Sequence, residues 1–221
     1  MRTPRATAFG SFGYGWQQLW KYFLHLFLIA VIVGIANVPG QSMFVVHEAA
    51  NTTASTLLSI FVAAYAILVL PVLVYGGDLL YVKYMRDELA NVAGVFDGFK
   101  KNYLNIILAN LLVVAIVGIG LLVLIVPGII FACRLSFVPY LVMDKGLDPV
   151  AAVEKSWTMT RGHGWRIFGM YLLSIVMFFV GLCLLIVGAL FALMWSGCAF
   201  ASLYHAVDVE DQARLNQNGT T

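Results

Sequence analysis

Charged residues are scarce in this chain of 221 residues. They make up 11% of it, whereas soluble domains contain about 25%. Hydrophobic residues make up 62%, which is more than a soluble fold of this length can bury. The apolar runs also lack the strict alternation of apolar and polar residues that marks the strands of a membrane barrel. The composition therefore predicts an all-α membrane protein, because helices satisfy their own backbone hydrogen bonds in lipid.

Cysteines and basic clusters are rare as well. Cys133, Cys183 and Cys198 lie in apolar runs and form no C-x-x-C pair, which argues against a disulfide framework or a zinc site. The net charge is +2 and no run of five basic residues occurs, which argues against nucleic acid as a partner. No Walker loop and no Ser/His/Asp or Cys/His set is visible. We therefore expect a non-enzymatic protein without a cofactor or a metal.

An internal repeat organises what is present. Pro127, Arg134, Tyr140 and Asp144 are separated by seven, six and four residues. Two further copies keep this spacing: Pro71, Asp78, Tyr84, Glu88 and, with less similarity, Phe191, Cys198, Tyr204, Asp208. A Gly-aromatic pair precedes each copy: Gly15-Trp16, Gly98-Phe99, Gly164-Trp165. Three copies of one unit predict three helical hairpins.

The repeat predicts a single transmembrane domain, 1–221, with six crossings. The expected hairpins are 15–88, 98–144 and 164–208, and the first carries a far-side insertion at 39–66. Each span has about 20 apolar residues, the length that crosses a bilayer.

Local signals predict where these helices begin, bend and end. Aromatic residues at helical spacing from Trp16 predict an unbroken first span that ends at Pro39-Gly40, and Pro71 is expected to kink the second. Gly118-x-Gly120 is expected to form the turn of the second hairpin, and Gly181 and Gly188 to flank that of the third. Asp148-Pro149 predicts an N-cap and a short interfacial helix over 149–160.

Lysine and arginine predict the orientation. Twelve of the 13 lie in the N-terminal segment, the two linkers between hairpins and the tail, and none lies in a predicted far-side loop. The positive-inside rule then places both termini and both linkers in the cytoplasm.

Asp78 and Arg134 are the candidate site. They occupy the same position in two copies of the repeat, so we expect them at the same depth in the membrane. An unpaired charge inside a span costs about 2.5–3.5 kcal/mol, and such charges usually pair within the bundle. We therefore predict an intramembrane ion pair between Asp78 and Arg134, with snorkelling of both groups to the surface as the alternative.

Other polar residues carry weaker signals. His25 and His205 lie toward the predicted cytoplasmic side and are weak candidates for axial ligands of a haem or chlorophyll metal. The acids Asp208, Glu210 and Asp211 are expected to form a solvated tail.

Several motifs resemble a bacterial family. They are Val126-Pro127-Gly128, Gly164-Trp165, and Tyr140-x3-Asp144 followed by Asp148-Pro149-x-x-Ala152-x-x-x-Ser156-Trp157. Together they resemble the six-span membrane domain of some glycerophosphoryl diester phosphodiesterases and its stand-alone relatives. The resemblance implies a six-span fold in the bacterial inner membrane. It does not imply phosphodiesterase activity, since no soluble catalytic domain is recognisable here.

These signals favour an accessory or scaffold subunit that acts through membrane lipids or a membrane protein partner. The apolar segment 52–70 is the candidate partner surface. The alternative is a small transporter or lipid-handling protein that uses Asp78 and Arg134.

Overall fold

The computed structural model describes residues 8–49, 53–183 and 185–218. Within these ranges every regular element is helical, which confirms the predicted all-α class. The helices are α1 (Ala8–Lys21), α2 (Phe23–Ala49), α3 (Thr53–Leu68), α4 (Leu70–Met85), α5 (Asp97–Lys100), α6 (Tyr103–Val123), α7 (Ile125–Arg134), α8 (Val138–Asp144), α9 (Pro149–Met159), α10 (Gly164–Cys183) and α11 (Leu185–Asn218). A 3₁₀ segment, Val92–Phe96, lies between α4 and α5.

Five stretches of the described chain are long and apolar enough to cross a bilayer. They are Thr56–Met85, Tyr103–Val123, Ile125–Asp144, Gly164–Cys183 and Gly188–Arg214. A sixth crossing results if Gly10–Lys21 and Phe23–Pro39 are one span, although they meet at an angle of 101°. These helices make a membrane protein the natural assignment, because their apolar surfaces match lipid.

The bend between α1 and α2 is a departure from the unbroken first span predicted from Trp16. Three donors beside the bend reach Oδ1 of Asp87: Lys21 Nζ at 2.6 Å, Gln18 Nε2 at 3.1 Å and the Tyr22 hydroxyl at 3.4 Å. The hydrogen bonds to Lys21, then those to Gln18 and Tyr22, outweigh desolvation and lower the pKa of Asp87. One carboxylate on a loop therefore holds the last turn of α1 and the residue at the bend.

Two proline predictions have different outcomes. The expected helix end at Pro39-Gly40 is wrong, because α2 continues through Pro39 to Ala49. Proline removes one backbone hydrogen bond and can bend a helix without ending it. The helix is interrupted at Val69 and resumes with Pro71 in its first turn, while Thr56–Met85 still forms one apolar stretch, so the kink at Pro71 stays a prediction. Residues 50–52 of the predicted insertion lie outside the described residues.

Glycines bring the two helices of each later hairpin together. The predicted turn at Gly118-x-Gly120 is wrong, because both residues are helical and the chain turns at Leu124. A Cβ on Gly120 would lie 3.0 Å from the Cα of Gly128 across the turn, so this glycine permits close packing. In the third hairpin a Cβ on Gly181 would lie 2.4 Å from the carbonyl oxygen of Gly188. Gly181 and Gly188 lie on the two helices of this hairpin, and position 184, where the turn is predicted, lies outside the described residues.

The core lies where α4, α8 and α11 meet. The three tyrosines of the repeat, Tyr84, Tyr140 and Tyr204, are each at most 5% exposed. The rings of Tyr140 and Tyr204 stack with their centroids 4.9 Å apart. The ring of Tyr84 packs instead against that of Tyr22, 5.1 Å away, and all three tyrosines belong to the buried core.

Candidate functional site

The helix α9 fixes the end of α7. Asp148 caps α9 by accepting a hydrogen bond from the backbone N–H of Ala151, as the sequence predicted. On the buried face of α9, the hydroxyl of Ser156 donates to the carbonyl oxygen of Arg134 at 2.7 Å, and Thr160 donates to the same oxygen at 3.3 Å. This carbonyl lies in the last turn of α7, where no intrahelical donor exists. The two hydroxyls therefore anchor the backbone of Arg134.

The Arg134 guanidinium lies over an aromatic ring rather than beside an acid. Its Cζ is 4.8 Å from the centroid of the Trp157 ring, which itself packs against Phe131. Among the described residues no acceptor lies within hydrogen-bonding distance of its buried Nη1 atom. A buried donor without a partner costs about 1–3 kcal/mol, and a charged one costs more. The Arg134 guanidinium thus lies against Trp157, while its Nη1 lacks a hydrogen-bond acceptor among the described residues.

Arg134 lines a groove between α7 and α10 with a volume of about 530 Å³. The rest of the lining is apolar or glycine: Val126, Ile129, Ile130, Cys133, Gly162, Gly164, Trp165 and Phe168. Several of these side chains are exposed, and Trp165 has 85% of its surface accessible. The groove is thus an exposed apolar surface with one cation in its lining.

Asp78 lines a second cavity, of about 610 Å³. Its polar neighbours in the lining are Tyr75, Asn110, Ser136, Tyr140 and Tyr171. No lining residue is basic. Within the part of the chain that the structure describes, the Asp78 carboxylate has no hydrogen-bond or ion-pair partner.

The structure does not bring the predicted pair together. Arg134 and Asp78 line different cavities, and no ion pair within 4.0 Å joins them among the described residues. The separation arises within the segment 133–136, whose residues line different cavities. Cys133 and Arg134 line the groove, whereas Leu135 and Ser136 line the cavity around Asp78. Each charge therefore has its own surroundings.

The two candidate histidines also lie apart from these cavities. His25 is exposed on α2, with its ring 5.7 Å from that of Tyr84. His205 is half-buried on α11, and its Nδ1 has no partner among the described residues. No group of three His, Cys, Asp or Glu with metal-binding geometry occurs in the described part of the chain. Haem or metal ligation by either histidine stays a prediction.

A charged network closes one end of the bundle. Arg86 donates two hydrogen bonds to Asp144, each 2.8 Å long, and Tyr204 donates a third at 3.0 Å. Asp208 lies 3.8 Å from Arg86 and pairs with Lys145. Burial alone would lower the pKa of Arg86, but its hydrogen bonds to Asp144 outweigh burial and raise that pKa. Charged residues just after α4, at the end of α8 and on α11 thus satisfy one another.

The expected solvated tail is wrong for Asp208 and Asp211, which belong to this packed end, whereas Glu210 is exposed. Asp208 is 3% exposed. Asp211 pairs with Lys155 at 2.5 Å, and Glu210 lies 3.4 Å from His163. The helix α11 continues to Asn218 and carries these acids against α9 and the loop that follows it. Their partners Lys145, Lys155 and His163 are distant in the sequence, so no local signal marks these contacts.

The candidate partner segment 52–70 forms α3 from Thr53 onward, and residue 52 lies outside the described residues. It presents an apolar face in which Leu57, Ile60 and Phe61 are each more than 60% exposed. Lipid and a partner helix would both fit such a face, so its role as a partner surface stays a prediction.

A comparison with protein families matches residues 79–212, more than half of the chain, to a model described as a domain of unknown function (DUF7847). The match begins in α4, one residue after Asp78, and includes the whole groove around Arg134. No curated protein and no solved structure matches the chain. The resemblance to phosphodiesterase membrane domains stays a prediction.

Proposed function

Because the chain belongs to this family of unknown function, we propose its function from its own geometry. It is a non-enzymatic, multi-pass protein of the bacterial inner membrane that acts as an accessory subunit by binding an anionic phospholipid. The phosphate of the lipid is held by Arg134 and one acyl chain lies in the groove between α7 and α10.

The proposed topology has six crossings in three hairpins, with both termini in the cytoplasm. The lysines and arginines of the linkers support it through the positive-inside rule. The charged network supports it as well, because Arg86 just after α4, Asp144 at the end of α8 and Asp208 on α11 meet at one end of the bundle. Charges are most stable at a water-facing end, so this end is the cytoplasmic one in the proposal.

The observation that carries the lipid-binding function is the buried Nη1 of Arg134, which has no acceptor among the described residues. A guanidinium matches the geometry of a phosphate, to which it can donate two parallel hydrogen bonds. The same side chain lines an apolar groove that is long enough for part of an acyl chain. A ligand with both an anionic head and an apolar tail satisfies both features at once.

Two further details support a bound headgroup. Gly162 and Gly164 line the groove beside Arg134, and a Cβ on either would meet no atom within 4 Å. The helix α10 begins at Gly164, and the first N–H groups of a helix have no intrahelical acceptor. The N–H groups of Arg166 and Ile167 already donate to the carbonyl oxygen of His163, so those of Gly164 and Trp165 are the donors considered next to the guanidinium.

Native mass spectrometry tests this function. The protein is purified, depleted of lipid, and titrated with phosphatidylglycerol or with phosphatidylcholine as the zwitterionic control. We expect phosphatidylglycerol to bind at least five times more tightly, and Arg134→Gln to abolish this preference. Arg214→Gln removes an exposed arginine on α11 and should leave the preference unchanged.

A second variant separates loss of binding from loss of folding. Ile129→Trp fills the groove while keeping Arg134, so it should weaken binding of both lipids without changing the preference for charge. Equal binding of the two lipids by the unmodified protein contradicts the proposal. The proposal is also contradicted if millimolar inorganic phosphate displaces the lipid and the acyl chain makes no difference to binding.

A further inference from the structure

We infer that the cavity around Asp78 is a binding site for a monovalent organic cation, a primary to quaternary ammonium or a similar lipophilic cation. This inference does not rest on the lipid-binding function, because the two cavities share no lining residue. Four observations support it.

The first observation is the charge of the cavity. Asp78 is the one ionisable acid in its lining, and no lysine, arginine or histidine lines it. No ion pair of the described residues includes Asp78. An ionised carboxylate inside a span is costly unless a cation neutralises it. A bound cation would supply the charge that the protein does not.

The second observation is the aromatic lining. Tyr75, Tyr140, Tyr171 and Phe200 all contribute to the cavity, and the rings of the last two lie 4.7 Å apart. Aromatic faces attract cations, and sets of aromatic residues recognise quaternary ammonium groups in proteins. A carboxylate together with several aromatic rings suits an organic cation.

The third observation is the set of unused polar groups. Within the described part of the chain, the amide of Asn110 and the hydroxyls of Tyr75 and Tyr140 make no hydrogen bond. A primary or secondary ammonium carries N–H donors that these oxygens accept. The lining thus provides acceptors in addition to the charge of Asp78.

The fourth observation is size, which separates an organic cation from a metal ion. The cavity measures about 610 Å³, which falls within the usual range for small-molecule sites, about 300–1,000 Å³. Calcium takes six to eight oxygen ligands and magnesium six, at distances near 2.0–2.6 Å. A wide cavity with one carboxylate and a mainly apolar lining does not provide such a shell.

Equilibrium binding of tetraphenylphosphonium to the full chain in detergent tests the inference. Tetraphenylborate is the matched control, because it has almost the same size and shape with the opposite charge. We expect saturable binding of the phosphonium and at least tenfold weaker binding of the borate. Asp78→Asn keeps the shape of the side chain and should weaken phosphonium binding at least tenfold. Glu88→Gln, at an exposed position outside the cavity, should change it less than twofold.

Val117→Trp is the second variant and does not alter the charge. Val117 lines the cavity, so a larger side chain should block phosphonium binding while Asp78 remains. If the phosphonium and the borate bind the unmodified protein equally, the inference is overturned. It is also overturned if Asp78→Asn elutes as a monodisperse protein and binds the phosphonium as tightly as the parent.

Discussion

The network at the closed end of the bundle should contribute far more to stability than an exposed ion pair of the same length. Arg86→Met removes the guanidinium but keeps most of the apolar stem. It leaves Asp144 with one hydrogen bond, from Tyr204, and removes one of the two cations near Asp208. The side chains of Arg86 and Asp144 are only 21% and 14% exposed, so water can replace little of what is lost.

The expected size follows from this burial. Removing one partner of a buried pair costs 3–5 kcal/mol, and the remaining exposure of Asp144 places this case near about 3 kcal/mol. In a chain of this length 1 kcal/mol shifts the melting temperature by about 2–4 °C, so we expect Arg86→Met to lower it by about 6–12 °C. Intrinsic tryptophan fluorescence during heating of the detergent-solubilised protein measures this shift.

The matched control is the exposed pair Lys21–Asp87, which is 2.6 Å long with side chains 54% and 37% exposed. Water and salt screen pairs of this kind, so Lys21→Met should lower the melting temperature far less than Arg86→Met does. Asp144→Leu in the Arg86→Met background should add little, because the stranded carboxylate is then gone. Equal shifts for Arg86→Met and Lys21→Met, or full additivity in the double variant, would refute this reasoning.

Two further predictions concern packing and pH. A Cβ on Gly76 would lie 2.1 Å from the carbonyl oxygen of Val95, so Gly76→Ala should lower the melting temperature by several degrees. The control is Gly34→Ala, whose Cβ would have no atom within 4 Å, so the melting temperature should stay unchanged or rise. Because the pKa of Asp87 is lowered in the folded chain, its contribution is complete above the unfolded value of about 3.9 and is lost as the pH falls through the folded pKa. The difference in melting temperature between the parent and Asp87→Asn should therefore stay constant from pH 8 to about pH 5 and shrink below about pH 4. A constant difference down to pH 3 would contradict the role given to the ionised Asp87.

The sequence predicts the helices better than it predicts their ends. Hydropathy and helix signals correctly indicate α6, α9 and α10, because each combines a clear starting residue with a full apolar or capped segment. The bend after Lys21 has no local marker, since proline and glycine are absent from it. Lys21 beside the bend contacts Asp87, which is 66 residues away in the chain, and only the tertiary fold shows that contact.

The prediction of a turn at Gly118-x-Gly120 is wrong for a related reason. Gly118 and Gly120 are typical of a turn when read locally, yet the turn lies at Leu124 and Gly120 serves close helix packing. A local signal was present all the same. Gly120 and Gly128 lie on either side of that turn, as Gly181 and Gly188 do in the third hairpin, and symmetric glycines around an apolar turn indicate two helices in contact.

The sequence predicts which two charged residues matter for the candidate site, but not that they lie in separate cavities. Rarity of charge within the spans singles out Asp78 and Arg134, and the structure places each in a cavity. The repeat places Asp78 and Arg134 at equivalent positions in the sequence. It does not determine which cavity the side chain of each residue lines. Trp157 was part of a recognised motif, whereas its place over the guanidinium depends on how α9 docks against α7.

The satisfied and unsatisfied charges should respond to substitution in opposite directions. Arg86 and Asp144 gain stability from each other, whereas Arg134 and Asp78 have no ion-pair partner among the described residues. An unsatisfied charge lowers stability and is retained when binding needs it. Arg134→Met and Asp78→Leu should therefore leave the melting temperature of the lipid-depleted protein unchanged or raise it, while each removes binding at its own cavity. Added phosphatidylglycerol should then stabilise the parent and Asp78→Leu but not Arg134→Met, since only a ligand that binds the folded state raises its stability. A drop for Arg134→Met as large as that for Arg86→Met would show that Arg134 serves the fold rather than a ligand.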